Sequence, residues 1–333
     1  MTGVSAFSRL CRLAGSRLDW IQAGGGNASI KRDSVRMTIK ASGVGLSTVT
    51  DSVGVVDVDF PQIVDFLSAP RRGGIFEHWA LPVMSEGRPS IETYMHAVLG
   101  RVVLHVHPWD ALPILCDANW KEKLGEIWGT DVACVPYCTP GVALGVAVAD
   151  LAIDPAIPTA IWLQNHGLIV SGPTEDMVLE LMHAVTGTVA DVLGIDPLPY
   201  RMVTRIQYMI EAKTGEIPVV HWCQTPLFLD VDLVRRASDI GPLFPDQAVF
   251  SGTTWPMLSE MATYIEAFGT YPSIIRDGDR VYIAAKSLSR AREIEDVATA
   301  QLMAVKLGQS GVSLSPEEVS FLQNWDAEKW RVR

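Results

Sequence analysis

The sequence predicts an α/β protein, on three observations. Runs of β-branched residues alternate with segments carrying apolar residues at helical spacing, the links between them are short, and no internal repeat or low-complexity tract interrupts them. At 333 residues the chain exceeds a typical single domain, so a large domain with a smaller α/β unit appended is expected. The texture changes near Ile217, which divides the chain into residues 1–215 and 216–333.

Composition excludes several classes. An apolar share of 48% and a charged share of 20% are ordinary for a globular chain with a full core. No apolar run reaches membrane-spanning length, and Met1 to Ala14 lacks the basic, apolar and small-residue succession of a secretory leader, so a cytoplasmic protein is expected. The five cysteines, Cys11, Cys116, Cys134, Cys138 and Cys223, are odd in number and form no CxxC pair, which argues against a disulfide framework and a thiolate zinc site. A net charge of -11 with no basic cluster argues against nucleic-acid or anionic-membrane binding, while one anionic small molecule can still be held by local donors.

The elements follow in order. Thr2 to Ala14 carries Phe7, Leu10, Cys11 and Ala14 at helical spacing and stops at Gly15. The run GGGNASIK (Gly24 to Lys31) is a tight loop entering a strand, since three glycines permit backbone conformations closed to other residues. A second strand, Val35 to Ile39, ends in a glycine-containing turn from Lys40 to Gly45. Val53 to Phe60 reads as a strand, Pro61 to Leu67 as a short helix with proline at its start, and Arg71 to Gly74 as a loop. Pro89-Ser90 opens a helix, with Ser90 as cap and Glu92 in the first turn, running through Met95 and Val98 to Gly100. Arg101 to His107 is a strand closed by Pro108; Trp109 to Lys123 reads as helix, Ala133 to Pro136 as strand and Gly141 to Leu151 as an apolar helix. Ala160 to Leu163 is a strand ending at Gln164 to Gly167, Leu168 to Ser171 continues after the kink, and Thr174 to Leu193 is the longest helix, capped by Thr174. Pro218 to Trp222 and Gln247 to Phe250 read as short strands, and Ser273 to Arg276 with Arg280 to Ala284 as a hairpin. Arg290 to Leu307 and Pro316 to Trp325 are amphipathic helices, followed by a polar tail from Asp326 to Arg333.

Strand residues two apart share a face, so His105 and His107 point together and form the first half of a metal site. His166 is the best third ligand, because a glycine beside it at a strand end lets the chain turn and a ligand reach a cleft. His78, His96, His183 and His221 compete for that place. His96 lies four residues after Glu92 on the same helix face and is expected to pack or to support the site from behind. Three neutral histidines with an open position make a catalytic zinc site, whereas structural zinc usually takes cysteines.

The set GGGNASIK, IKASG (Ile39 to Gly43), PSIETYMH (Pro89 to His96), VVLHVHP (Val102 to Pro108) and QNHGLIVSG (Gln164 to Gly172) resembles the class II aldolase/adducin family. The motifs span the first two thirds of the chain in the family's order. PSIET, LFPDQAVF (Leu243 to Phe250) and NWDAEKWR (Asn324 to Arg331) look most like a longer bacterial branch that includes the aldolase part of rhamnulose-phosphate aldolase/dehydrogenase fusions. The resemblance implies a three-layer α/β/α sandwich on a mixed, largely antiparallel sheet, in a cyclic homotetramer with active sites between subunits. It implies Zn2+, or another divalent metal such as Mn2+ or Co2+, on His105, His107 and His166, with Glu92 as acid/base. Gly26, Asn27, Ser42, Gly43 and Ser90 would bind the substrate phosphate.

The expected function is a zinc-dependent aldolase that cleaves or forms a ketose phosphate, giving dihydroxyacetone phosphate and a small aldehyde. The metal would stabilise the enediolate left when the carbon-carbon bond breaks. For Glu92 to act at neutral pH, an apolar setting from Ile91, Tyr94 and Met95 is expected to raise its pKa. Ile91 stands where many relatives have a second serine, which removes one phosphate donor. The second acid/base is unassigned among Glu126, Tyr137 and Tyr208. A sugar-phosphate epimerase, dehydratase or decarboxylase is the alternative on the same metal, and a non-catalytic adducin-like oligomerisation module is disfavoured by the three retained histidines. The C-terminal unit is expected to shape the aldehyde side of the site through Pro245 to Ser251 or Trp325 to Arg331.

Overall fold

A computed structural model describes residues 5–69, 80–308 and 312–325. The chain divides into two compact units, Met1–Pro197 and Leu198–Arg333. In the first, α1 (Ala6–Gly15) is capped by the Ser5 hydroxyl, which accepts from the Ser8 N–H at 3.2 Å. There follow β1 (Asn27–Lys31), β2 (Arg36–Lys40), β3 (Val55–Asp59) and α2 (Phe60–Ser68), whose N-terminus Asp59 caps. Then come α3 (Thr93–Ala97), β4 (Val102–Val106), α4 (Leu112–Leu115), α5 (Trp120–Trp128), β5 (Cys134–Val135) and α6 (Val142–Ala149). The unit closes with β6 (Thr159–Leu163), β7 (Gly167–Gly172) and α7 (Glu175–Leu193).

Its seven strands run β3-β2-β1-β4-β7-β6-β5, antiparallel at every pairing except β5 with β6. Central β4 is buried along its whole length, so both its faces must be covered. On one face Val103, Ile161 and Ile169 pack with Met95 and Leu99 beside α3 and with Leu144 and Val148 of α6. On the other, α7 lies across β4, β6 and β7, and α1 packs on α7. This is the three-layer sandwich expected.

Several local expectations are corrected. α3 begins at Thr93, leaving Glu92 at the cap position outside the first turn, because Ser90 closes a turn with its carbonyl to the Thr93 N–H (3.1 Å) and hydroxyl (2.6 Å). The helix expected from Trp109 to Lys123 is two helices, parted where Asp117 accepts from the Asn119 N–H at 2.8 Å and ion-pairs with Lys123. Arg71 to Gly74, His78 and Asp326 to Arg333 lie outside the described residues.

The C-terminal unit contains α8 (Leu198–Thr214), β8 (Val219–Trp222), α9 (Val231–Ile240), α10 (Met261–Phe268), β9 (Ile274–Asp277), β10 (Arg280–Ala285), α11 (Leu288–Leu307) and α12 (Pro316–Asn324). Its antiparallel sheet, β8-β10-β9, has α9 and α11 packed on Ile274, Val281 and Ile283, and α8 and α10 packed on Val220, Ile275 and Tyr282. Gln247 to Phe250 is a wide helical turn, not a strand, and α11 outruns α7 as the longest helix, 20 residues against 19. α8, α9 and α10 carry no expectation above; α8 belongs by its packing to the second unit, ahead of the change of texture near Ile217. No described helix is long and apolar enough to cross a membrane.

A chain ending at Pro197 is expected to remain soluble, whereas one ending at Thr214 would carry Met202, Val203, Ile206 and Ile210 of α8 stripped of the sheet they cover. Soluble yield and binding of an apolar dye compare the two.

Candidate metal centre

Strand period and two turns assemble the centre. His105 is the penultimate residue of buried β4, and His107 follows two residues later on the same face. His166 arrives from the β6–β7 turn, where Asn165 has φ +53° and Gly167 sits so close to β4 that a Cβ there would lie 2.3 Å from the Val106 carbonyl oxygen. Only glycine fits at 167, and Asn is among the few other residues that tolerate a left-handed φ at 165. Glu92 comes from the cap of α3. One ligand atom from each of Glu92, His105, His107 and His166 lies within 4.8 Å of all the others.

The donor set fits a divalent cation. His105 Nδ1 donates to the Leu168 carbonyl at 3.0 Å, which turns the lone pair of Nε2 inward. That Nε2 lies 3.0 Å from His107 Nε2, near the ~3.3 Å edge of a nitrogen tetrahedron around zinc. Glu92 Oε1 is 2.9 Å from His166 Nε2 and 3.5 Å from His105 Nε2. Glu92 and His105 are buried while His107 and His166 are half-buried, so the centre is open on the side of the latter two.

Burial, opposed by the Glu92 charge, holds His105 down to about 3 and so neutral, and burial lowers His107 as well. For Glu92 burial alone would raise the carboxyl, but His105 and the hydrogen bonds from His166 and Asn27 outweigh it and hold it well below the usual carboxylate range. This corrects the expectation of an apolar, pKa-raising setting. Ile91 is exposed, Tyr94 and Met95 turn into separate apolar clusters, and imidazole and amide groups surround the carboxyl instead.

Residues 5–192 match the family described as the Class II Aldolase and Adducin N-terminal domain. The chain belongs to this family. A curated relative from Bacillus subtilis (strain 168), named uncharacterized oxidoreductase YuxG, is 28% identical over 187 residues, covering 52% of this chain and 27% of its own length. The solved N-terminal class II aldolase domain of a conserved protein from Thermoplasma acidophilum is 24% identical, with 57% of this chain and 93% of that one covered at a TM-score of 0.49. L-fuculose-1-phosphate aldolase from Thermus thermophilus is 20% identical over 56% of this chain and 91% of its own, at a TM-score of 0.39.

Other residues of this class II aldolase/adducin chain lie beside the centre or away from it. Asn27 is buried beside Glu92, and its amide is engaged by Glu92, Ser90 and His96. Gly25 and Gly26 serve close approach, because a Cβ on Gly25 would lie 2.9 Å from His107 Nδ1 and one on Gly26 3.0 Å from the His105 carbonyl oxygen. Ser42 and Gly43 form an exposed turn tied by the Ser42 N–H to the Arg88 carbonyl at 2.8 Å. Glu126 and Tyr137 are exposed. Of the competing histidines, His183 lies against Trp20 and Arg17, and His221 pairs with Glu295 at 3.0 Å in the C-terminal unit.

Two features escaped the sequence. Lys40 is buried, which lowers its pKa against the opposing pull of the Glu92 charge, and it donates to the Val44 carbonyl at 2.8 Å. Behind His107 lies a buried charge cluster in which Arg17 grips Asp19 at 2.8 and 2.5 Å, while Asp19 and Trp20 accept the Trp109 and His107 N–H groups at 3.0 and 2.8 Å. Asp110 joins it with Oδ1 unpartnered among the described residues, and burial together with Asp19 pushes it up to about 6. No local sequence signal marks either, since both depend on what packs around them.

The native state thus binds more protons at Asp110 than the unfolded chain does between pH ~4 and ~6, so this residue's contribution to stability falls as pH rises through that window. Asp110→Asn is expected to stabilise the protein at pH 7, by at most ~3 kcal/mol, and to flatten that dependence in urea titrations. Gly167→Ala should destabilise by about 1–3 kcal/mol in the same measurement, since β4 backbone must move to admit the methyl group.

Proposed function

We propose that the chain is a zinc-dependent class II aldolase that cleaves or forms a ketose phosphate, with dihydroxyacetone phosphate and a small aldehyde as the parts. The observation that carries the reading is the convergence of three histidines and one carboxylate in a chain of this family. His105, His107 and His166 would hold the metal. Once bound, a divalent cation supplies Lewis-acid polarisation of the sugar's carbonyl. Glu92 begins ionised and so acts first as base, taking a proton from the substrate beside the half-buried histidines and returning it in the reverse direction. Asn27 holds that carboxylate. Phosphate recognition falls to Ser90 and to the exposed Ser42-Gly43 turn, with the Asn27 amide committed elsewhere. We take the working form to be a homotetramer, as the family resemblance implies, acting in the cytoplasm, and the C-terminal unit to influence the choice of aldehyde.

About one zinc or similar ion per chain is expected by elemental analysis. His105→Ala and His166→Ala should lose both metal and activity while circular dichroism stays native; stoichiometric metal in His166→Ala would remove that ligand. Glu92→Gln should keep its metal and lose roughly 10²-fold or more in turnover, the scale of a missing acid/base. The assay offers dihydroxyacetone phosphate, dihydroxyacetone and pyruvate against a panel of aldehydes. A near-normal rate in Glu92→Gln would sink its role, and turnover of a sugar phosphate without aldehyde release would replace the aldolase by an epimerase, dehydratase or decarboxylase.

A further inference from the structure

Behind Glu92 runs a chain of hydrogen bonds with no exposed member. Glu92 Oε2 accepts from Asn27 Nδ2 at 2.5 Å, Asn27 Oδ1 meets His96 Nε2, and His96 Nδ1 lies 2.8 Å from Ser29 Oγ. Relative exposures of 2% for Asn27, 0% for His96 and 1% for Ser29 leave bulk water no route to replace any partner. Two periodicities bring the groups together. Asn27 and Ser29 are two apart on β1 and share the face of His105 and Val103, their register partners on β4, while Glu92 and His96 are four apart at the start of α3.

The donor and acceptor capacities of these groups permit one arrangement. The Asn27 nitrogen, which only donates, lies on Glu92 Oε2, and its oxygen lies on His96 Nε2. An amide oxygen also only accepts, so the proton of the His96 ring sits on Nε2. In the neutral ring Nδ1 is then an acceptor, and the Ser29 hydroxyl donates to it. Asn27 by itself could rotate its amide by half a turn; the His96 donor makes that rotation costly, because it would set N–H against N–H and oxygen against carboxylate.

We propose that His96 is a positioning residue, acting through Asn27 to fix the Glu92 carboxylate with Oε2 gripped from behind and Oε1 presented to the three imidazoles. It rests on the reading of Glu92 as the acid/base. His96 touches neither substrate nor metal, and its effect belongs in the chemical step.

The test uses the full-length, metal-loaded protein. His96→Leu removes the donor at similar volume and is expected to keep metal stoichiometry and circular dichroism, lower kcat by about 10-fold, the scale of a buried amide oxygen left without its donor, and leave KM within about 2-fold. His96→Gln places an amide N–H near the position of Nε2 and is expected to recover most of kcat. A merely structural histidine would not sort the two variants in this way. Unchanged kcat in His96→Leu, or equal losses in both variants, overturns the proposal.

An independent arm reads the metal-free protein by NMR with ¹⁵N-labelled histidine, His96 being identified by its absence in His96→Gln. The Nε2–H tautomer with a slowly exchanging proton is expected; an Nδ1–H tautomer overturns the proposal, also where His96→Leu fails to fold. Because this arm needs no turnover, a chain inactive with every donor offered would refute the aldolase reading while the tautomer still decides the hydrogen-bond assignment.

Discussion

The antiparallel register of β1 on β4 is the constraint on which the rest of the N-terminal unit depends. It sets Asn27 opposite His105 and Ser29 opposite Val103, so the polar face of a short strand meets the one polar residue of a fully buried one. A slip of β1 by one residue would turn Asn27 and Ser29 to the other face of the sheet, where α7 lies, and away from Glu92. Burying Asn27, Ser29, His96 and His105 is tolerable only because each finds a partner. An imidazole or amide left unsatisfied at such depth would cost on the order of 1–3 kcal/mol. The same bonds that make the burial possible also orient the carboxylate, so stability and chemistry are served by one network.

Backbone proximity is the second determinant. The loop carrying Gly25 and Gly26 and the turn carrying Gly167 press against the backbone or ring of His105 and His107, closer than any side chain would allow. These glycines let three chain segments converge. The Arg17, Asp19 and Asp110 cluster supports the same point from behind, since Asp19 and Trp20 take the backbone N–H groups of the segment that presents His107.

The C-terminal unit repeats the layered logic on a smaller scale, a three-stranded sheet covered by helices on both faces. Its α8 is held in the unit by packing. The helix precedes the change in texture, yet its apolar stripe of Met202, Val203, Ile206 and Ile210 is complementary to β8 and β10, and packing, not sequence proximity, decides membership.

What the sequence by itself determined is whatever has a local period. Alternation along β4 put His105 and His107 on one face, a glycine at a strand end pointed to His166, and the succession of branched runs and amphipathic segments marked most of the α/β order. Four of the residues named for the centre, Glu92, His105, His107 and His166, converge in the tertiary structure. What only that structure decided is where one group's surroundings come from distant parts of the chain. Glu92 lies among imidazoles and an amide and not among its apolar sequence neighbours, Asn27 turns to a carboxylate 65 positions away, and the Ser90 turn delays α3 until Thr93. The physical reason is the same in each case: a period is written in neighbouring residues, whereas the partner of a buried polar group is chosen by whichever element the fold packs against it.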